Sequence, residues 1–236
     1  MVVGGTYQRL VVYPLLFLRP SRRLAITSTY FRGMSHGILF CMRVGGATLR
    51  RTGTVSTAAP ALVLMNHQSL LDIPTAGLMS DPLVPWFVTR RRYHYGVPAV
   101  SPCLRLMGCP VIEPRDRRQS LKTMIRAARE LEHGMLIFAE GHRSRDGTVQ
   151  PFQMAGILAV LRERRLPVHV IVTDGFWQAR RLVDFVLGVG KIRGETEVVG
   201  TFEPPDDAEA LPAFVEGLRE RMVAHLAAMR GRRGAA

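Results

Sequence analysis

The sequence predicts a single α/β domain in which helices flank a central, mostly parallel β-sheet. Residues 61–65 and 135–138 are uninterrupted apolar runs of strand length, and strands that are buried on both faces of a parallel sheet have this composition. Between these runs, residues 120–133 carry apolar side chains at helical spacing. With 236 residues, the chain is long enough for one domain with a sizeable core.

The first fifty residues differ from the rest of the chain. Residues 11–18 are apolar but much shorter than the roughly twenty residues that a membrane span needs. Residues 24–44 are mixed, because Arg32, His36 and Arg43 interrupt their apolar side chains. We therefore predict one or two amphipathic helices that lie in a membrane interface, with two helices packed on the core as the alternative.

The other elements follow in chain order, and each is predicted from its periodicity and its flanking turn residues. They are a helix at 74–79, strands at 85–89 and 109–112 with a helix at 98–107 between them, the helix at 120–133, a helix at 156–165, strands at 166–172 and 196–202, and a helix at 206–230. We divide the chain into N-terminal amphipathic membrane-associating helices (1–50), one main domain (51–230) and a disordered tail (231–236).

Charge and cysteine content limit the partners and the compartment. The net charge of +13 and the pI near 11.0 indicate an anionic partner, which is a membrane surface, a phosphorylated substrate or nucleic acid. Nucleic acid is not expected, because no nucleic-acid motif occurs. The three cysteines lack C-x-x-C spacing, which predicts reduced thiols and neither a disulfide framework nor a zinc site. We expect a peripheral or monotopic protein at the cytoplasmic face of the cell membrane.

The first apolar run ends in a polar stretch that starts with Asn66 and His67, and Asp72 follows five residues after the histidine. In α/β sheets, ligands bind where strands end. His67 and Asp72 meet only if the histidine lies in the turn and the aspartate in the first helical turn. The carboxylate then holds one ring nitrogen while the other accepts a proton. The alternative is a capping box in which Ser69 is the N-cap and Asp72 its acidic partner.

The second apolar run leads into Glu140, Gly141 and Arg143. A glycine lets the backbone approach a ligand closely, and an arginine offers a planar fork suited to phosphate. Asn-His-x4-Asp followed some seventy residues later by Phe-x-Glu-Gly-x-Arg-Ser resembles the glycerolipid acyltransferases of the lysophosphatidate (1-acylglycerol-3-phosphate) acyltransferase type. The resemblance covers roughly residues 55–205.

This resemblance implies direct transfer of a fatty acyl group from acyl-CoA or acyl-carrier protein to a lysophospholipid hydroxyl, with no cofactor and no metal. His67 is then the general base, Asp72 its partner, and Glu140, Gly141 and Arg143 the acceptor-binding motif. The acceptor is lysophosphatidate, with glycerol 3-phosphate or lyso-ornithine lipid as alternatives. A non-catalytic basic protein that binds a membrane or nucleic acid is the alternative from a different class.

Three further arginines and a proline complete the predicted site. Arg90 begins a basic cluster that resembles the one after the family's second strand, and the resemblance implies a contact with phosphate or the lipid headgroup. Where the family usually has a phosphate-binding arginine, this chain has Pro114, and we expect Arg115 or Arg117 to substitute. Pro167 resembles the family's fourth motif, which lines the acyl site.

Residues 33–37 match the G-x-S-x-G pattern of serine hydrolases. That motif needs a strand before it and earlier strands to build a sheet, and the preceding thirty-two residues, with their arginine cluster, leave no room for one. We therefore do not assign a nucleophile to Ser35.

Overall fold

The computed structural model describes residues 2–97, 100–178 and 188–234. Its α-helices are α1 (Val2–Tyr7), α2 (Tyr13–Leu18), α3 (Arg23–Val44), α4 (Asp72–Leu78), α5 (Arg91–His94), α6 (Val100–Met107), α7 (Arg117–Glu130), α8 (Met154–Glu163) and α9 (Leu211–Gly234). A π-helix (Gln8–Val12) joins α1 to α2, and two 3₁₀ turns span Pro20–Arg22 and Val189–Lys191.

The strands are β1 (Thr48–Thr52), β2 (Val55–Ser56), β3 (Ala61–Met65), β4 (Ser80–Asp81), β5 (Trp86–Phe87), β6 (Thr89–Arg90), β7 (Val111–Ile112), β8 (Gly134–Phe138), β9 (Val168–Asp174) and β10 (Arg193–Phe202). Six of them form the central sheet in the order β1-β10-β9-β3-β8-β5. Among the described strands of this sheet only β9 and β10 pair antiparallel, which confirms the predicted mostly parallel α/β sheet.

Strand β3 lies at the middle of the sheet, between β8 and β9, and every residue of it is buried. Because side chains alternate across a strand, Leu62 and Leu64 join the core under α7, α8 and α9. Val63 and Met65 face the opposite way, into the core under α3, α4 and α6. This two-sided burial explains why the strand has no polar residue until it ends.

The N-terminal helices are partly packed and partly exposed. Phe31 on α3 is buried against the main domain, where its ring stacks on Phe87 at 5.4 Å between centroids. Phe17 and Leu18 on α2, by contrast, are 87% and 71% exposed. Within the described ranges, no helix is both long enough and apolar enough to cross a bilayer. The region is thus packed on the core through α3, as in the alternative prediction, and has exposed apolar side chains on α2. Its contact with a membrane stays a prediction.

Ser35 lies in the interior of α3, twelve residues after the helix begins, and its side chain is buried. A nucleophile elbow requires a strand before the serine. The structure therefore agrees with leaving Ser35 out of the site.

Several predicted boundaries were wrong. Helix α7 begins at Arg117 rather than at residue 120, because Asp116 caps it by accepting a hydrogen bond from the Gln119 amide at 2.9 Å. It ends at Glu130, so Gly134 starts β8 instead of closing a helix. A Cβ on Gly134 would lie 2.6 Å from Thr57 Cγ2, so close strand packing explains this glycine.

The predicted disordered tail was also wrong over most of its length. Helix α9 starts at Leu211 and continues to Gly234, because Arg232 and Arg233 in its last turn form ion pairs with acidic side chains of β9 and β10. Residues 235 and 236 of the predicted tail lie outside the described ranges. The helix predicted at 98–107 is observed as α6, and its residues 98 and 99 also lie outside the described ranges.

Candidate active site

The site forms where β3 ends, between the two strands that flank it. Asn66, the first residue after β3, pairs with Thr173 of β9 through both ends of its amide. Its Nδ2 donates to the Thr173 carbonyl at 2.9 Å, and its Oδ1 accepts from the Thr173 amide at 2.8 Å. The chain runs on from β3 to β8 on one side of that strand, and then crosses to β9 on the other. This reversal opens a crevice at the carboxyl ends of the strands.

His67 and Asp72 meet as the sequence predicts, with the histidine in the turn and the aspartate at the first residue of α4. His67 Nδ1 lies 2.7 Å from Asp72 Oδ2. The same oxygen accepts hydrogen bonds from the backbone amides of Gln68 (2.6 Å) and Ser69 (2.7 Å). Because a carboxylate oxygen only accepts, Nδ1 carries the proton and Nε2 is left as an acceptor.

The capping alternative describes the same contacts only in part. Asp72 does reach back to the Ser69 amide, as in a capping box, but the residue before α4 is Leu71 rather than Ser69. The side chain of Asp72 is fully buried, whereas 15% of the His67 side chain is exposed. One buried carboxylate therefore orders the turn and orients a ring that is open to solvent.

Both backbone groups of His67 are bonded to the loop after β8. Its amide donates to Glu140 Oε1 at 3.0 Å, and its carbonyl accepts from the Ser144 amide at 2.6 Å. Its ring stacks on Phe138, with 4.0 Å between centroids. The two motifs that the sequence separates by about seventy residues are thus one structure, in which the second holds the first.

Glu140, predicted to contact the acceptor, has a fully buried side chain whose Oε1 supports the His67 amide. Its Oε2 is buried with no hydrogen-bond partner among the described residues. Burial raises the pKa of this carboxyl to about 7, and the hydrogen bond from the amide of His67 offsets part of that rise. The side chain of Glu140 thus points into the protein interior, behind His67, and away from the open side of the crevice.

The residues that flank Glu140 turn the loop and anchor it. Gly141 has φ +71°, and a Cβ there would lie 2.9 Å from Gln153 Cγ. Its carbonyl accepts a hydrogen bond from Arg90 Nη2, which fixes the loop to β6. Arg90 is therefore used in an internal contact, while Arg143 is half-buried two residues after Gly141.

Arg115 and Arg117 lie in the loop after β7 and at the start of α7, and both are exposed. Strand β7 pairs with β6 so that Ile112 lies opposite Arg90, which puts the two arginines on the Arg90 side of the site. Neither guanidinium forms a hydrogen bond or ion pair with the part of the chain that the structure describes. They are solvent-exposed cations.

Pro167 is not near His67. It precedes β9 at the opposite end from Thr173, beside which Asn66 lies, and its carbonyl accepts from the Leu62 amide at 2.9 Å. Six residues of extended strand separate positions 167 and 173, which corresponds to roughly 20 Å. No group of three or more histidine, cysteine or acidic side chains suited to a metal ion occurs in the ranges 2–97, 100–178 and 188–234.

Sequence reasoning missed Gln68 and Asp174, whose side chains bond to each other directly behind the His67 loop. Asp174 had a signal, since it is the first acid after the apolar run of β9 and stands at a strand end like Asn66. Gln68 had none, because a glutamine in a turn is usually exposed.

Comparison with known proteins agrees with this geometry. The family model described as Acyltransferase matches residues 44–173, a segment that contains His67, Asp72 and Glu140. The chloroplastic 1-acyl-sn-glycerol-3-phosphate acyltransferase BAT2 of Brassica napus is 28% identical over 122 residues, which are 51% of this chain and 34% of that protein. The chain thus spans about a third of the length of this curated relative.

A solved structure has the same fold. The crystal structure of the 1-acyl-sn-glycerophosphate (LPA) acyltransferase PlsC from Thermotoga maritima matches over 96% of both chains with a TM-score of 0.66 and 17% identity. Since the family model covers more than half of the sequence, and its segment includes the paired histidine and aspartate, the chain belongs to the acyltransferase family.

Proposed function

We propose that this acyltransferase moves a fatty acyl group from an acyl thioester, acyl-CoA or acyl-carrier protein, to the free hydroxyl of lysophosphatidate and so forms phosphatidate. The observation that carries the proposal is the His67–Asp72 pair at 2.7 Å, with an acceptor nitrogen left at the carboxyl end of β3. The names of the similar proteins from Brassica napus and Thermotoga maritima support the acceptor class.

The chemistry requires a base, because a glycerol hydroxyl is a weak nucleophile at neutral pH. His67 Nε2 removes the hydroxyl proton as the oxygen attacks the thioester carbonyl. Asp72 keeps the other ring nitrogen protonated and stabilises the imidazolium that forms. When the carbon–sulfur bond breaks, the imidazolium returns the proton to the thiolate, so the enzyme ends the cycle unchanged and needs no covalent intermediate.

The acceptor phosphate is assigned to cations around the crevice. Arg143 lies in the loop that holds His67, and Arg115 and Arg117 are exposed on the neighbouring edge of the site. A guanidinium fork suits a phosphate better than any uncharged headgroup. Gly141 contributes backbone shape, since its positive φ turns the loop and a Cβ there would lie 2.9 Å from Gln153 Cγ.

The N-terminal region is assigned to the membrane. Phe17 and Leu18 on α2 and Phe40 on α3 are large apolar side chains that are 67–87% exposed. The net charge of +13 favours an anionic lipid surface at the cytoplasmic face. An enzyme that binds the membrane surface peripherally can reach an acceptor lipid that is embedded in that membrane.

The test is an acceptor and donor panel with the purified full chain in mixed vesicles. Labelled acyl-CoA and acyl-carrier protein are each offered lysophosphatidate, glycerol 3-phosphate, lyso-ornithine lipid and monoacylglycerol, which is the matched acceptor without phosphate. We expect turnover with lysophosphatidate and a much lower kcat/KM with monoacylglycerol. Equal rates on those two acceptors would contradict the phosphate assignment, and absence of transfer to all four would favour the non-catalytic alternative.

A further inference from the structure

Asp174 is a buried acid that the proposed chemistry does not use. It ends β9, its side chain is 3% exposed, and it lies between two elements that are distant in sequence. From α9, Arg230 Nη2 donates to its Oδ1 at 2.9 Å and Arg233 Nη1 to its Oδ2 at 3.1 Å. Burial by itself would raise the pKa of Asp174, but the hydrogen bonds from Arg230 and Gln68 outweigh it and lower the pKa below its ordinary value.

Gln68 connects this acid to the His67 loop. The Gln68 side chain is fully buried, and its Nε2 donates to the Gly147 carbonyl at 3.0 Å and to Asp174 Oδ1 at 3.3 Å. Its Oε1 accepts from the Phe176 amide at 3.1 Å. All polar atoms of this side chain are therefore bonded, which restricts it to one orientation.

The backbone of Gln68 completes the connection. Its amide donates to Asp72 Oδ2, the oxygen that also holds His67 Nδ1. Arg230 adds a second contact to the same support, because its Nη2 also donates to the Gly147 carbonyl at 2.8 Å. A displacement of Gln68 would therefore move a donor that orients the carboxylate of Asp72.

We infer that α9 positions the catalytic turn: Arg230 and Arg233 hold Asp174, Asp174 and Gly147 hold the side chain of Gln68, and the amide of Gln68 orients Asp72 and through it His67. The positioning residues are those behind the turn, since they do not contact the reacting atoms: Arg230, Arg233, Asp174 and Gln68. The inference rests on the proposed role of His67 as the base. It extends the site beyond the segment that the family model matches, which ends at residue 173.

The same helix provides a matched control. Arg232 forms an ion pair with Glu197 of β10 at 2.7 Å, and Glu197 is also bonded to His225. This pair, like the pair of Arg230 with Asp174, fastens the end of α9 to the sheet. The side chain of Arg232 is 55% exposed and that of Arg230 is 39% exposed. Within the described chain Arg232 bonds to Glu197 and has no hydrogen bond or ion pair with Gln68 or Gly147, so loss of Arg232 removes the fastening without removing the support of the turn.

The first measurement is steady-state acyl transfer by the full-length Arg230→Met and Arg232→Met variants, with folding checked by far-UV circular dichroism. We expect Arg230→Met to lower kcat about tenfold with both KM values changed less than about twofold, because orientation of the base is lost while substrate contacts remain. Arg232→Met should keep kcat within about twofold at a similar loss of Tm. Arg230→Lys, which keeps the charge but not the fork, should lie between them.

The second measurement does not depend on turnover. Amide hydrogen exchange of the peptide that spans residues 66–72 should be faster in Arg230→Met than in the wild type, and unchanged in Arg232→Met. Equal kcat and equal exchange in the two variants would overturn the inference while leaving the proposed function intact. If the wild type has no activity on lysophosphatidate, the proposed function fails, and the exchange comparison alone decides whether α9 holds the turn.

Discussion

The His67 turn and the N-terminal helices differ in which groups they bury: the turn buries polar groups, and the helices expose apolar ones. In the turn, most polar groups are buried and bonded: Asp72 Oδ2 accepts three hydrogen bonds, and Asn66 and Gln68 use both ends of their amides, while Asp72 Oδ1 is buried without a partner among the described residues. On α2, large apolar groups face outward instead. Burying a polar group costs free energy unless it is bonded, and exposing apolar area costs free energy unless something covers it. The first region therefore holds its side chains in one orientation, and the second has apolar area that a binding partner could cover.

The largest effect that separates the two regions is expected from removing the base. His67→Ala should lower kcat by at least roughly a hundredfold with the fold retained, because only the proton acceptor is lost. Steady-state kinetics at saturating substrate measure this effect, and His36→Ala, which removes an exposed imidazole from α3, is the control. Near-normal turnover of His67→Ala would contradict the mechanism.

Glu140 is expected to make the stability of the turn depend on pH. Its pKa is raised to about 7 from an ordinary value of 4.5, so the folded state holds the proton more tightly than the unfolded state. Its contribution to stability is then fully present below about pH 4.5 and is lost as pH rises through about 7. Glu140→Gln removes this loss, so its Tm relative to the wild type should rise between pH 5 and pH 8 by the equivalent of about 2 kcal/mol. A difference in Tm that is constant with pH would show that Glu140 does not titrate in this range.

Arg143 tests whether the open side of the turn recognises phosphate. Arg143→Ala should raise KM for lysophosphatidate about tenfold, with KM for the acyl donor changed little, because a phosphate contact concerns the acceptor alone. Arg143→Lys should recover part of the loss. Equal increases in both KM values would indicate that the guanidinium supports the loop instead of binding substrate.

The smallest effect is expected at the N-terminal helices. Replacing Phe17 with Ser removes apolar area that is 87% exposed, so binding to anionic vesicles should weaken a few-fold while Tm stays within about 1 °C. Sedimentation with vesicles at low and high salt measures the binding, which should weaken without vanishing as charge is screened. A loss of Tm without a loss of binding would make Phe17 a packing residue and would remove the contrast between the two regions.

The sequence predicted those parts of the molecule that depend on neighbours along the chain. The predictions of strand β3 and of the contact between His67 and Asp72 were correct, because the apolar run indicates the strand and a spacing of five residues permits the contact across the turn. The supports of that geometry were not predictable in this way. Gln68 meets Asp174 across 106 residues, and Asp174 meets Arg230 across 56. Such contacts depend on the order of strands in the sheet, which periodicity does not specify.

The same reasoning explains the contacts that the sequence did not reveal for two predicted site residues. Glu140 was assigned to the acceptor-binding motif by resemblance, and the structure shows that it accepts a hydrogen bond from the amide of His67. Arg90 was assigned a phosphate or headgroup contact by resemblance to the family's basic cluster, and the structure shows that it donates to a carbonyl of the neighbouring loop. In both cases the side chain has a partner within the protein that the sequence did not indicate. Location followed from the strand pattern, whereas the partner was decided by a loop some fifty to seventy residues away.

The position of α9 in the chain has a consequence for how the protein is made. Arg230 follows His67 by 163 residues, and ribosomes add about 5 to 20 residues per second, so roughly ten to thirty seconds pass between the two. The N-terminal helices leave the ribosome first and are free to meet a lipid surface during that time. We expect Phe17 and Leu18 to be accessible to lipid before Arg230 is synthesised and can secure the His67 turn.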